Sequence, residues 1–477
     1  MSTIGHFIFG EERHARSGRT FDDVDPWRQS VRARVAEGDQ EDVEAAVSAA
    51  RQAFDAGPWP RMGFEERGAL LHRLADAILE NLETLAAADS QDMGKPMTAL
   101  RAKDVPRAAK NFRFFADHAR LAVADRYPMD SGHHAYCQFD PAGVVAAIAP
   151  WNFPLMLETW KVAPALAWGN TVVLKPAEDS PASATLLARL AMEVGFPPGV
   201  LNVVHGFGPE AAGAFLTNHP GVDRITFTGE SNTGRAIGQA AARRLVPVSL
   251  ELGGKGANLV FEDADLDEAV KWADKAIFTN SGQVCLAGSR LFVQRSILGS
   301  FLERFVARTE QHVVGDPARD ETTIGPLSSR HHFEKVRSYL DDTSLGGGRI
   351  LTGGALTDGS WAVKPTVVVD SPVDARICRE EVFGPVVNVI PFDDEDEAVR
   401  VANDTPYGLN AMLFTENVRR AHRVSRHLRA GTVWVNCFFV RDLRAPFGGV
   451  GDSGLGREGG NFSREFFTEP KAVVMEI

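Results

Sequence analysis

The sequence GVVAAIAPWNFP, residues 143–154, begins the part of the chain that decides the fold. From residue 142 to residue 252, short β-branched runs alternate with longer runs of helical periodicity, which is typical of a parallel sheet with helical crossovers. Five strands and four helices are predicted here. The strands are Gly143–Ile148, Thr171–Leu174, Val200–Val204, Arg224–Phe227 and Pro247–Leu250, and the helices are Pro154–Trp168, Pro181–Val194, Pro209–Asn218 and Thr233–Arg244.

A second alternating region follows Gly253-Gly254, so the chain is predicted to be an α/β protein with two α/β units. Two segments fit neither region, Tyr127–Asp140 and the tail Arg464–Ile477. Extended segments of this kind often pair with another subunit, although a frayed terminus is the alternative. The second region has predicted strands at Leu291–Gln294, Thr366–Val369, Val386–Pro391 and Thr432–Asn436, and amphipathic helices are predicted upstream at Asp42–Phe54, Phe64–Leu85 and Asp104–Ala119.

The composition disfavours several classes of protein. Of 477 residues, 44% are hydrophobic and 24% are charged, as in globular chains of two or three domains. The net charge of −12 disfavours partners such as nucleic acid or an anionic membrane. The longest apolar stretch, Ala142–Trp151, is too short for a membrane span of about 20 residues. The N-terminal segment does not have the layout of a secretory signal, so a cytoplasmic location is expected. The four cysteines are scattered and predict neither a disulfide framework nor a metal site.

Cys285 is the candidate nucleophile. It ends the sequence SGQVC, where a glycine follows a predicted helix and leaves the backbone open. A reactive thiol needs such access, although a lone cysteine is more often a small buried hydrophobe. Glu251 follows an apolar strand and precedes two glycines, so its carboxylate would reach the carboxyl end of the sheet, where ligands of α/β sheets bind. It could act as a base toward water or be a solvated strand end.

Three further residues lie at the same edge of the predicted sheet. Asn152, between two prolines, could donate its amide to a developing oxyanion or be a turn residue. Glu178 follows the second strand, where an acidic residue usually binds ribose hydroxyls and would repel a 2′-phosphate. Gly229 precedes a helix start, as a pyrophosphate site requires. Since Gly-x-Gly-x-x-Gly is absent, glycines that merely end strands would look the same.

Taken together and in this order, the motifs closely resemble the NAD(P)-dependent aldehyde dehydrogenase superfamily, from about Arg34 to the C-terminus. The resemblance implies a Rossmann-like cofactor domain, an α/β catalytic domain and a small β oligomerisation element, in a homodimer or homotetramer. Chance agreement of seven such segments is negligible. The segments are PWNFP (150–154), LKP (174–176), FTG (227–229), ELGGK (251–255), GQVC (282–285), EVFGP (381–385) and PFGG (446–449).

The resemblance also implies domain boundaries. Residues 1–122 and 142–253 would form the NAD-binding domain, and residues 254–445 the catalytic domain. Residues 123–141 and 464–477 would form the oligomerisation element.

The resemblance implies a role for each site residue. Cys285 attacks the aldehyde carbon to give a thiohemiacetal, whose oxyanion Asn152 and the Cys285 backbone amide would hold. Hydride then passes to NAD, and Glu251 activates the water that hydrolyses the thioester, so oxidation to the acid is irreversible. Lys161 matches a lysine often assigned to proton relay. The implied cofactor contacts are Lys175 and Glu178 at the adenosine ribose, Glu381 and Phe383 at the nicotinamide ribose, and elsewhere Pro150, Trp151, Phe227, Gly229, Glu230, Ser231 and Leu252.

The chain departs from the family pattern in two places. Glu230 stands where many members have serine, which adds negative charge near the pyrophosphate path. The usual Asn-Pro-Ala-Thr-Gly-Glu near the N-terminus is replaced by DPWRQS at residues 25–30, a change expected to be structural.

Three arginines suggest an aldehyde that also carries an acid group, because arginine binds carboxylate bidentately. Arg441 and Arg444 precede the PFGG motif, where the family forms a loop along the substrate tunnel, and Arg107 lies on the helix that lines the tunnel mouth in relatives. With the FTGES sequence, they resemble the branch that oxidises 2-hydroxymuconate, 5-carboxymethyl-2-hydroxymuconate and 2-aminomuconate semialdehydes. Alternatively, they pair with Asp104, Asp442 or a neighbouring subunit.

Other functions remain open at this point. The chain could be an aldehyde dehydrogenase of broad or other specificity, for example for betaine or amino aldehydes. Cys285 with Glu251 could also serve a thioester hydrolase without redox chemistry, which would not need Lys175, Glu178 and Glu381. A purely structural, crystallin-like protein would have lost its catalytic residues, whereas these are present.

Overall fold

The computed structural model describes residues 2–356 and 358–476, and its larger sheet has eight strands. The five central strands are parallel and all come from residues 142–252, as predicted. The strands Val144–Ile148 and Thr171–Lys175 are buried throughout, as expected for a sheet covered by helices on both faces. In spatial order the strands are Gly454–Leu455, Val248–Glu251, Arg224–Thr228, Val144–Ile148, Thr171–Lys175, Leu201–Val203, His6–Ile8 and Glu11–Arg13.

The second large sheet has seven strands, and only one edge pair is antiparallel. The sequence failed to predict two of its central strands, Ala257–Val260 and Asn410–Phe414. The first is short and follows glycines, and the second contains helix-favouring alanine, methionine and leucine, so parallel neighbours on both sides override local propensity. In spatial order the strands are Arg349–Ala355, Val363–Val369, Val386–Phe392, Arg290–Gln294, Ala257–Val260, Asn410–Phe414 and Thr432–Val435.

Two helix predictions need correction. Phe64–Leu85 is two helices, because Asn81 leaves the helical conformation and its side-chain amide donates to the Ala77 carbonyl, a local competitor of the helix. The helix predicted from Pro209 begins at Ala212. The longer helices are Gln40–Asp55, Phe64–Glu80, Leu82–Met93, Val105–Arg120, Pro154–Ala167, Ala182–Glu193, Ala212–Asn218, Ser231–Ala242, Leu266–Phe278, Leu298–Thr309, Arg330–Arg337, Glu395–Asn403, Val418–His427 and Gly460–Phe467.

A small antiparallel sheet joins the two extended segments. Strand His134–Pro141 pairs with Arg126–Pro128 on one side and with Thr468–Met475 on the other, which confirms that the first segment is extended. The prediction that the tail is extended from Arg464 was wrong, because residues up to Phe467 form a helix that buries the Phe467 ring. Ile477 lies outside the described residues. A further three-stranded sheet contains Ser2–Ile4, Ser30–Ala36 and Thr20–Asp25.

The order of strands in the eight-stranded sheet reverses at Val144–Ile148. The chain first adds Thr171–Lys175 and Leu201–Val203 on one side and then returns to add Arg224–Thr228 on the other. Ligands of doubly wound sheets bind beyond the carboxyl ends of the strands at this switch point. Throughout the described ranges, no helix has the length and apolar character needed to cross a membrane.

Candidate active site

A cleft of about 560 Å³ lies at the switch point, and both sheets contribute to it. The loops after the strands Val144–Ile148 and Arg224–Thr228 meet there, so residues far apart in the sequence become neighbours. Its lining comprises Pro150, Trp151, Asn152, Thr228, Gly229, Glu230, Leu252 and Gly253 from the first half of the chain, and Cys285, His332, Lys335, Glu381 and Phe383 from the second.

The loop before Cys285 has an unusual backbone. Asn280 and Ser281 both have a φ of 54°, a left-handed conformation that costs about 1–3 kcal/mol for each residue. Gly282 packs closely against the backbone at Gly384. A Cβ atom on Gly282 would lie 2.1 Å from the Gly384 carbonyl oxygen. The Ser281 hydroxyl donates to the Gly325 carbonyl at 3.0 Å. The loop is therefore held in a strained form that directs the chain into the cleft.

Asn152 is hydrogen-bonded to this loop. Its side-chain amide donates to the Gln283 carbonyl at 2.9 Å, and the Asn280 amide donates to the Asn152 carbonyl at 2.7 Å. Asn152 is 3% exposed, whereas Cys285 is partly accessible to solvent. The predicted oxyanion donor and the predicted nucleophile are thus brought together, and Asn280, which the sequence analysis missed, connects them.

The Cys285 thiol is neutral at neutral pH in the free protein. Burial first, and then the carboxylates of Glu381 and Glu251, raise the pKa of Cys285 to about 12, although the charge of Arg441 acts in the opposite direction. Because the thiolate is the nucleophile, this thiol must lose its proton before it attacks an electrophile.

Glu251 is the buried carboxyl group that could accept a proton from water. Both of its oxygens are buried without a hydrogen-bond partner among the described residues. Burial raises the pKa of Glu251 well above its usual range, and the nearby Glu458 carboxylate raises it too. Gly448 leaves room for it, since a Cβ atom there would lie 2.6 Å from Glu251 Oε1.

Lys161 belongs to a buried network that the sequence analysis did not anticipate. Its Nζ donates to Thr226 Oγ1 at 3.0 Å and to Glu458 Oε1 at 3.1 Å. The Trp160 indole donates to the other Glu458 oxygen at 2.6 Å. Glu458 follows a short strand that joins the edge of the first sheet beside Glu251, and no sequence signal distinguished it from other exposed-looking acids.

The residues expected at an adenosine ribose lie together at the end of the strand Thr171–Lys175. Lys175 Nζ donates to the Pro176 carbonyl at 2.9 Å and lies 3.6 Å from Glu178 Oε2. Burial lowers the pKa of Lys175. The Glu178 side chain is 42% exposed, so its carboxylate can still accept a hydrogen bond from a ligand hydroxyl.

Aromatic rings and a carboxylate line part of the cleft. Trp151 packs edge-on against Phe383 at 5.3 Å between ring centres, and the His332 ring lies 4.9 Å from Trp151. Glu381 Oε1 accepts the Gly254 N–H at 3.0 Å, and burial raises the pKa of Glu381 to about 7. His332 was not predicted, because nothing in its local sequence sets it apart.

The remaining predicted cofactor residues have mixed positions. Phe227 is buried, and its ring fills the space where a Cβ atom of Gly229 would be, 2.4 Å away. Ser231 starts a helix and donates its hydroxyl to the Asp452 carbonyl at 2.8 Å. Leu252 lines the cleft directly. Only some of these side chains can therefore touch a bound molecule without rearrangement.

Arg107 and Arg441 both lie against one indole ring, that of Trp160. The Arg107 guanidinium is 5.5 Å from the centre of Trp160, and that of Arg441 is 5.0 Å from it and 3.7 Å from the centre of Phe447. Arg107 Nε donates to Asn111 Oδ1 at 3.0 Å. Burial lowers the pKa of each arginine to about 10. Arg441 Nη2 is buried without a partner among the described residues.

Arg444 differs from the other two arginines. Its guanidinium makes a bidentate ion pair with Asp442, with a closest distance of 2.6 Å, and its side chain is 76% exposed. Asp104, the other acid considered as an arginine partner, is bound by Lys95 instead. The structure therefore brings Arg107 and Arg441 together and leaves Arg444 occupied at the surface.

The site combines a thiol, an amide donor and a buried carboxylate beside a cleft of the dinucleotide-binding type, which fits an enzyme that works through a covalent intermediate. Residues 13–473 match the aldehyde dehydrogenase family, and the chain belongs to that family.

Full-length relatives support this assignment. The chain is 47% identical to 2-hydroxymuconic semialdehyde dehydrogenase of Pseudomonas sp. (strain CF600), with 100% of both chains covered. It is 46% identical to 2-aminomuconic 6-semialdehyde dehydrogenase of Pseudomonas sp., covering 100% of this chain and 99% of the relative. The NAD⁺ complex of an aldehyde dehydrogenase from Bacillus cereus superimposes with a TM-score of 0.97 at 41% identity, covering 100% of this chain and 97% of that one.

The raised pKa of Cys285 predicts how fast the thiol reacts with iodoacetamide. Because thiolate is the reactive form, the alkylation rate at Cys285 should rise about tenfold per pH unit from pH 7 to 9.5 without a plateau. Arg441→Met should slow it further, since the charge that favours thiolate is lost. The rate is measured by mass spectrometry of the Cys285 peptide, with Cys285→Ser as the blank. A plateau of the alkylation rate below pH 9 would contradict the raised pKa of Cys285.

Proposed function

We propose that this protein oxidises a muconic-type semialdehyde, an aldehyde that also carries a carboxylate, to the corresponding acid with NAD as the oxidant. The observation that carries the proposal is the pair of guanidiniums around Trp160. Arg107 and Arg441 are partly buried, and within the described residues neither forms an ion pair. Buried arginine without an anion is unfavourable, so the geometry suits an anion supplied by the substrate.

The position of the arginines agrees with the site of reaction. The charge of Arg441 lowers the pKa of both Cys285 and Glu251, so the guanidinium is near the reacting groups. Arg107 is held in place through Asn111, whose amide donates to Thr159 Oγ1 at 3.1 Å. The named relatives that act on 2-hydroxymuconic and 2-aminomuconic semialdehydes support the same substrate class.

The residues of the cleft fit a dinucleotide. The helix Ser231–Ala242 begins at the cleft, and no side chain of the described residues caps its first turn, so backbone N–H groups remain for an anion. Lys175 and Glu178 would bind the adenosine ribose, and Glu381 with Phe383 the nicotinamide ribose. A carboxylate at Glu178 disfavours the 2′-phosphate of NADP. When bound, the nicotinamide supplies the hydride acceptor.

The chemistry of the chain's own groups follows from their positions. The Cys285 sulfur loses its proton to solvent and bonds to the aldehyde carbon, and Asn152 with the Cys285 N–H stabilises the oxyanion of the thiohemiacetal. Loss of hydride leaves a thioester on the sulfur. Glu251 takes a proton from water, which attacks the thioester carbonyl, and the carbon–sulfur bond breaks to give the acid and the free thiol.

Lys161 can relay the proton away from Glu251. It lies in the buried network with Glu458 and Thr226, and its charge lowers the pKa of Glu251 while that of Glu458 raises it. Because these two charges act in opposite directions, movement of a proton between Lys161 and its neighbours would change the pKa of Glu251. A base that both accepts and loses a proton in each cycle requires such an environment.

The domain division, assembly and location belong to the same proposal. We assign residues 1–122 and 142–253 to the cofactor domain, 254–445 to the catalytic domain, and 123–141 with 464–477 to an assembly element. Tyr127 and Val474 are exposed on the small sheet, at 50% and 55%, which supports pairing with another subunit in a homodimer or homotetramer. A reducing cytoplasm suits a chain whose Cys285 must remain free.

Glu251→Gln tests the role assigned to the base. Glutamine has nearly the same shape but accepts no proton from water, so the thioester should form and persist. With semialdehyde and NAD in a stopped-flow spectrometer, the variant should release a burst of up to one NADH per site. Its steady-state rate should be at least about 100-fold below wild type. Turnover at the wild-type rate with no burst would show that another group activates water.

Arg107→Met tests carboxylate recognition. Loss of a charge-assisted hydrogen bond should raise KM for 2-hydroxymuconic semialdehyde about 10- to 100-fold. KM for benzaldehyde, which has no carboxylate, should change less than about twofold. Arg107 is a cleaner probe than Arg441, whose charge also acts on Cys285 and Glu251.

Arg113→Met is the matched control, because Arg113 lies on the same helix and pairs with Asp76 at the surface. Arg113→Met should leave the KM values for both aldehydes unchanged. An equal loss on both aldehydes in Arg107→Met would rule out a contact with the substrate carboxylate.

A further inference from the structure

An ion pair crosses the cleft between the two halves of the chain. Glu230 Oε1 lies 2.7 Å from Lys335 Nζ, and both residues line the cleft that contains Cys285. Glu230 is the residue immediately before the helix Ser231–Ala242 of the first half, whereas Lys335 lies on the helix Arg330–Arg337 of the second. The pair therefore joins elements that a ligand of the cleft must separate or bypass.

The carboxylate of Glu230 binds Lys335 immediately before the start of the helix Ser231–Ala242. A helix N-terminus and a lysine ammonium are both favourable to an anion, and here they meet at one point. The hydrogen bond from Lys335 and the charge of its ammonium lower the pKa of Glu230. In the free protein the anion that this surface contacts is the chain's own carboxylate.

We infer that Glu230 is an internal competitor of the cofactor pyrophosphate for Lys335, and that it thereby sets the affinity and the release rate of the dinucleotide. The inference rests on the proposed function, because it assumes that NAD binds in this cleft. Binding of the pyrophosphate displaces the carboxylate and transfers Lys335 to a phosphate oxygen. Glu230 then repels the phosphate and hastens departure of the product dinucleotide.

The alternative is an ordinary surface ion pair. The Glu230 and Lys335 side chains are 68% and 33% exposed, and exposed pairs contribute little to stability. Such a pair would have no effect on a ligand. The position in the cleft distinguishes the two cases, because only a competitor changes cofactor affinity in the direction opposite to a simple loss of contacts.

Equilibrium binding of NAD and NADH without aldehyde tests the inference. Quenching of tryptophan fluorescence reports binding, because Trp151 lines the cleft. Glu230→Gln should lower the Kd of NAD about three- to tenfold and slow NADH dissociation by a similar factor. Glu230→Ser, which removes the charge and places a residue that favours the N-cap position, should do the same. Lys335→Met should raise Kd, and in the double variant Glu230→Gln/Lys335→Met the gain from Glu230→Gln should be largely lost.

Glu334→Gln is the matched control. Glu334 lies beside Lys335 on the same helix and pairs with Arg330 at 2.9 Å. This variant should bind NAD with wild-type affinity. Unchanged or weaker binding by both Glu230 variants would overturn the inference while leaving the proposed function intact. A wild-type protein that fails to bind NAD would overturn both.

Discussion

The two hydrogen bonds between Asn152 and the loop before Cys285 are the interaction on which the site depends. Asn152 follows a strand of the eight-stranded sheet, the loop precedes a strand of the seven-stranded one, and the bonds of 2.9 and 2.7 Å fix one segment against the other. The loop needs this support because two of its non-glycine residues are left-handed. Without these bonds, the Cys285 sulfur and the Asn152 amide would not be held in a fixed relative position. The thioester on which Glu251 is proposed to act would then not form efficiently.

Burial is the second constraint, since it sets the protonation of the reacting groups. Cys285, Glu251 and Glu381 all have pKa values raised by burial, so the free site holds fewer negative charges than its composition implies. Positive charge is concentrated at Arg107, Arg441 and Lys335. A chain with a net charge of −12 can thus present a locally positive cleft to an anionic substrate and to a pyrophosphate.

Much of this arrangement could be read from the sequence. Alternation of strands and helices predicted the five parallel strands of the first sheet, and parallel topology alone brings residues 150–152 and 228–230 to one edge. Ala257–Val260 and Asn410–Phe414 were missed, because their strand structure comes from parallel neighbours and not from their own residues. The tail helix up to Phe467 was missed for a similar reason, since its burial is tertiary.

The site residues divide in the same way. Cys285, Asn152 and Glu251 stand in motifs whose neighbours already indicate a role. Glu458 and Asn280 could not be found, because their importance lies in contacts with Lys161 and Asn152 that no local pattern encodes. The sequence did not distinguish Arg107 from Arg444, and the structure does, because Arg444 is exposed and paired with Asp442 whereas Arg107 lies against Trp160.

Mass spectrometry of the trapped intermediate tests the central claim most directly. Glu251→Gln is mixed with NAD and 2-hydroxymuconic semialdehyde, quenched in acid and digested with trypsin, which yields the peptide 276–290 with Cys285 as its single cysteine. We expect this peptide to carry the acyl group of the product acid, and only when NAD is present. An unmodified peptide, or an adduct confined to Cys137, Cys378 or Cys437, would contradict the account.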